Sequence, residues 1–91
     1  MIYSIFITLT KWKLKPTKEH QAVQQFSQTL KELEKQGIKM QVYWTLGRYD
    51  AVTITEAPSE KDVMKILLPL VDVVDTETLV AIPREDAIKL L

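Results

Sequence analysis

The chain contains no cysteine, so it has neither a disulfide framework nor a thiolate metal site. Its single histidine, His20, leaves too few soft ligands for a structural zinc ion. Only two glycines occur, Gly37 and Gly47, which rules out a glycine-rich phosphate-binding loop. Net charge is absent as well: twelve basic residues balance twelve acidic ones. That balance argues against nucleic acid or an anionic membrane as the main partner. No apolar run approaches the roughly 18 residues of a membrane span. The first residues lack the basic region and cleavage site of a signal peptide. The expectation is a cytoplasmic protein that needs no cofactor.

Ninety-one residues make one domain, spanning 1–91. A domain of that size buries only about 60–65% of its unfolded surface, so self-association would help to stabilise it. The composition, 46% hydrophobic and 26% charged, is that of an ordinary globular protein. Charge is nonetheless divided unevenly. Residues 1–41 carry seven lysines against three glutamates, net +4, and residues 42–91 carry five basic and nine acidic residues, net −4. The basic excess centres on Lys11, Lys13, Lys15 and Lys18 around Trp12. Trp12 could stack on a nucleic-acid base, but four lysines make a narrow footprint. A solvated loop anchored by Trp12 and Leu14 accounts for the same residues.

Ile2–Thr10 alternates with strand periodicity. Pro16 and Thr17 then predict a helix start, with Thr17 as cap and Glu19 and His20 in the first turn. Ala22, Val23, Phe26, Leu30 and Leu33 recur at helical spacing, and Gly37 ends the helix as a left-handed cap. Lys39–Leu46 and Asp50–Ala57 read as hairpin strands around Gly47. Ser59, followed by Glu60 and Asp62, caps a second helix. That helix is apolar almost all round, through Val63, Met64, Ile66, Leu67 and Leu68, which predicts deep burial. Pro69 must end or kink it. Thr76–Ile82 is a fourth strand, and Arg84–Leu90 a short terminal helix. The order βαββαβ predicts an α+β, ferredoxin-like sandwich with strand order 4-1-3-2 and both main helices on one face.

With Ile5, Ile7, Leu9, Val42, Trp44, Val52, Ile54, Leu79 and Ala81 turned toward the helices, the opposite face carries Ser4, Phe6, Thr8, Gln41, Tyr43, Thr45, Thr53, Thr55, Thr76, Thr78 and Val80. That set holds no charge, although a sheet face open to water usually does. It therefore predicts an isologous homodimer through this face, with a pocket between the two sheets lined by threonine hydroxyls, Tyr43 and Phe6. Threonine's β-propensity alone would allow an open face instead. Asp75 and Glu77, in the helix-facing register, would have to lie beyond the helix ends.

Several segments together resemble the GYD-domain family of small bacterial and archaeal proteins. They are the opening strand with Trp12, the hairpin Leu46-Gly47-Arg48-Tyr49-Asp50-Ala51-Val52, the Glu56-Ala57-Pro58 segment and the strand Thr76-Glu77-Thr78-Leu79. The resemblance covers nearly the whole chain and implies the dimeric α+β barrel arrangement, in which subunits pair sheet to sheet. It departs at Leu68-Pro69-Leu70, where many relatives have glycine, and at Val80, where they carry a basic residue; the second change makes a pocket here less polar. The resemblance implies no particular activity.

Gly47 is a turn glycine with positive φ. Asp50 can bond backbone amides, Tyr49 can lie over a neighbouring strand, and Arg48 can pair with an acid. The functional alternative puts Tyr49 and Asp50 at the pocket mouth, as proton donor and acceptor. Candidate ligand-binding residues are thus Phe6, Thr8, Tyr43, Arg48, Tyr49 and Asp50. His20, beside Glu19, reads as a solvated surface residue rather than a haem ligand, and Trp12 and Trp44 read as core aromatics, with stacking on a flat ligand as the alternative. Two functions follow: a homodimer binding a small hydrophobic molecule or a partner between its sheets, or a cofactor-independent oxygenase or isomerase acting there on a hydrophobic metabolite.

Overall fold

The computed structural model describes residues 3–91; Ile2, expected to open the first strand, lies outside them. The elements run β1 (Ser4–Trp12), α1 (Gln21–Lys35), β2 (Lys39–Trp44), β3 (Ala51–Ala57), α2 (Glu60–Leu67), β4 (Val74–Ala81) and α3 (Arg84–Ile88), with a 3₁₀ turn at Leu68–Leu70. The result is a small α+β structure with one antiparallel four-stranded sheet, ordered β2-β3-β1-β4, and three helices.

Local chemistry explains the helix ends. The Gly37 N–H donates to the Glu34 carbonyl and the Ile38 N–H to the Leu33 carbonyl, while Gly37 takes φ 83°. This is a Schellman stop, and Leu33 packs against the cluster holding Ile38, the apolar contact that accompanies such a stop. At α2 the Asp62 carboxylate accepts from the Ser59 N–H and hydroxyl at 3.2 and 3.3 Å. Pro69 cannot donate to an α-helical carbonyl, and the α-helix accordingly gives way to the 3₁₀ turn after Leu67. The start of α1 departs from expectation. The helix begins at Gln21, not at Thr17, because the His20 Nδ1 accepts the Ala22 N–H at 3.1 Å and takes the capping role.

The larger correction concerns the sheet faces. Phe6, Thr8, Thr10, Ala51, Thr53, Thr55 and Ala57 are the buried strand residues. Phe6 (1% exposed) and Ala57 (0%) form the core with Ile38 and with Val63 of α2. The helices therefore cover the threonine-rich face over β1 and β3, leaving Thr76, Thr78 and Val80 of β4 exposed, and Ile5, Ile7, Leu9, Val52, Ile54, Leu79 and Ala81 lie on the other face. The hairpin decides this. Trp44 pairs with Ala51, so residues 45–50 link the strands, and an even-numbered link sets even residues of β2 beside odd residues of β3. Placing Val42 and Trp44 with Val52 and Ile54 needs a link of odd length, and a one-residue difference in parity turns every side chain over. Val42 and Trp44 do face the helices; β1, β3 and β4 are inverted together.

Inversion also settles Asp75 and Glu77. They pair with Lys11 and Leu9 on the uncovered face, where water and Lys11 are available. The uncovered face is thus an aliphatic centre with Lys11, Lys39, Glu56, Asp75 and Glu77 toward its margins, not the uncharged hydroxyl surface expected. The second helix is less buried than its composition suggests: Val63 and Ile66 are inside, while Met64, Leu68 and Val71 are exposed. No helix among the described residues is long and apolar enough to cross a membrane.

Candidate functional site

The hairpin motif is held mainly by its own backbone. Gly47 takes φ 122°, a conformation that side chains rarely allow. The Thr45 N–H donates to the Asp50 carbonyl at 2.9 Å, and the Thr45 hydroxyl donates to the Tyr49 carbonyl at 2.7 Å. Asp50 then ties the turn to β1 twice. Its N–H donates to the Thr10 carbonyl at 2.8 Å, and its carboxylate accepts the Trp12 N–H at 2.9 Å. The carboxylate thus satisfies a backbone donor at the strand end. Tyr49 reaches across β1 and donates to Glu77 of β4 at 3.2 Å. Lys11 and Arg48 each stand 5.9 Å from its ring centroid, within cation–π range. Arg48 makes that contact rather than an ion pair among the described residues.

A separate space opens between α1 and the sheet. It measures about 340 Å³ and lies partly open to solvent. Short side chains of the sheet, Thr10, Thr53, Thr76 and Ala51, line it together with Met40 and Val42. Val23, Phe26 and Leu30 of α1 contribute, as do Leu67, Leu70, Val73 and Val74. Trp12 and Trp44 also line it, meeting edge to face with ring centroids 4.9 Å apart. Not one residue of α1 is fully buried, although its apolar stripe faces the sheet. The helix stands off rather than packing down.

The size of this space matters. A closed dry cavity of 340 Å³ would cost about 8 kcal/mol at ~24 cal/mol per Å³. That rivals the entire stability of a small domain, about 5–15 kcal/mol. The space is therefore one that solvent or a ligand occupies. Its volume falls in the range of small-molecule sites, about 300–1,000 Å³, and its mainly apolar wall with a few hydroxyls is their usual make-up.

None of the six residues singled out from the sequence lines this cavity. Phe6 and Thr8 are buried beneath the helices, the Thr8 hydroxyl bonding that of Thr78 at 3.1 Å. Tyr43 is on the opposite face of β2, while Arg48, Tyr49 and Asp50 cluster at the hairpin. Conversely, His20 is a half-buried cap on the cavity wall rather than a solvated side chain, and Trp44 is 66% exposed rather than core. The signal for this wall is present in the sequence, as a tryptophan at the end of each of two strands and threonines at alternate strand positions. It needs the correct face to be read. No group of histidines and carboxylates among the described residues could hold a metal ion.

The model of the GYD domain matches residues 3–91. The chain belongs to the GYD-domain family. In this GYD protein the hairpin is shaped by Gly47 through its positive φ and by Tyr49 and Asp50 through their hydrogen bonds. Comparison with curated proteins finds no match.

Proposed function

We propose that this GYD protein is a homodimer of ferredoxin-like subunits, each binding a small hydrophobic molecule in its helix–sheet cavity. The observation that carries the reading is the cavity itself, about 340 Å³ lined by two tryptophans and Phe26 under a helix that does not close on the sheet. Dimerisation through the uncovered sheet face is supported by its aliphatic centre, where Ile7 pairs with both Ile54 and Leu79. Such a continuous apolar surface is unusual on a monomer, and pairing like faces gives a closed two-fold assembly. The interface so proposed differs from the one expected from the sequence, since Phe6, Thr8, Thr53 and Thr55 are already covered by the helices. Ligand binding likewise belongs under α1 rather than between sheets. Proton transfer by Tyr49 and Asp50 has less support, because both are engaged at the hairpin, outside the cavity.

Two measurements test this reading. Light scattering at micromolar concentration is expected to give a dimer for the wild type and a monomer for Ile7→Lys. In a thermal-shift screen of small aromatic and aliphatic compounds, a ligand at 100 times its Kd should stabilise by about 2.7 kcal/mol. A wild-type monomer removes the dimer, and a screen in which no compound raises the melting temperature removes the ligand site.

A further inference from the structure

The ligand class can be narrowed by the charges around the cavity, on the reading that it is a ligand site. Among the described residues no carboxylate lines it, and Lys15 and His20 are the ionisable side chains on its wall. Lys15 makes no ion pair among the described residues, whereas the neighbouring Lys13 is held by Asp75 at 3.5 Å and by the Val71 carbonyl at 2.8 Å. His20 accepts the Ala22 N–H through Nδ1. That bond assigns the proton of the neutral ring to Nε2, which is left as a donor. The rest of the wall offers aromatic and aliphatic surface with threonine hydroxyls.

We infer that the cavity selects a flat, mainly apolar monoanion, such as an aromatic carboxylate. Its ring lies among Trp12, Trp44 and Phe26, and its anionic group meets Lys15 and His20. A cationic ligand finds no counter-charge on this wall. A neutral one forgoes the charge-assisted bond, which is roughly twice as strong as its neutral equivalent.

The test compares three probes with one ring system, 2-naphthoate, 2-naphthamide and 2-naphthylmethylammonium, by calorimetric titration of the full chain. The expected result is that the naphthoate binds at least about fivefold more tightly than the amide, with the ammonium weakest. Lys15→Gln should reduce the naphthoate–amide ratio to about twofold or less without changing amide affinity, and Lys18→Gln, outside the cavity wall, should leave the ratio intact. Equal binding of all three probes overturns the anion selection and leaves the ligand site standing. An equal effect of Lys18→Gln and Lys15→Gln overturns it too, because the preference then reflects diffuse charge. Binding of none of them overturns this inference, and the ligand site itself then rests on the thermal-shift screen.

Discussion

At the α2 end of the helix layer, Phe6, Ile38, Ala57 and Val63 close on one another and each is nearly inaccessible to water. At the α1 end, on the same sheet face, Trp12, Phe26 and Trp44 surround open space. Strand β3 runs through both regions and presents an alanine to each, Ala57 at the packed end and Ala51 at the hollow one. Beneath α2 the missing side chain lets a helix with a short residue, Val63, come close. Beneath α1 the same economy leaves a gap, which Trp12, Trp44 and Phe26 border without filling. Small residues on a sheet thus permit either close packing or a cavity, according to what stands opposite them.

The comparison can be broken most severely at Phe6. Phe6→Ala should destabilise by about 3–5 kcal/mol, seen as a lower denaturation midpoint, whereas Phe26→Ala should cost far less because Phe26 borders open space. Equal losses would mean that the α1 end is as tightly packed as the α2 end. Next comes Asp50, which anchors the hairpin beside the cavity. Asp50→Ala removes the acceptor of the Trp12 N–H and should cost about 1.5–3 kcal/mol. An unchanged midpoint would show that the carboxylate is dispensable to the fold and free for another role.

The two alanines give the sharpest contrast. Ala57→Leu overpacks the core and should cost about 1–3 kcal/mol. Ala51→Leu adds the same atoms into the cavity, so urea denaturation should find it within about 0.5 kcal/mol of wild type, with weaker ligand binding. If both are equally damaging, the cavity is not real space in solution. The glycines offer a further contrast, between two turns. An added Cβ at Gly37 would lie 3.3 Å from the Tyr3 hydroxyl, while at Gly47 it would meet nothing within 4 Å. Gly47→Ala therefore carries backbone strain alone, at φ 122°, a loss exceeding the roughly 0.4–1 kcal/mol of an unstrained change; Gly37→Ala should lose less, since its φ of 83° lies nearer the left-handed helical region and the contact is with the movable end of Tyr3. The reverse order would place the tighter turn at Gly37.

Much of the chain is legible in its sequence, in each case through interactions among near neighbours. Gly37 stops α1, Asp62 and Ser59 start α2, Pro69 ends it, and the Gly47 turn separates two strands, all by hydrogen bonds or dihedral limits within a few residues. The GYD resemblance is legible for the same reason, since its hairpin is a local motif. Asp50's bond to a backbone amide is foreseeable in kind, although its partner, Trp12 on β1, is distant in sequence. The capping by His20 is hidden because Thr17 offers a commoner cap nearby.

What only the tertiary structure decided was the side on which the helices lie. Both faces of β1 and β3 are weakly polar, so hydrophobicity favoured the aliphatic set as the core. The six-residue link between Trp44 and Ala51 and the packing of Val63 on Phe6 and Ala57 chose the other set. The cavity follows from that choice, for it exists only where large residues of α1, β1 and β2 meet short ones of β3. Element identity is set by contacts a few residues apart, and sequence carries them directly. Face and cavity depend on register and on which bulky groups meet across layers, quantities that no local pattern contains.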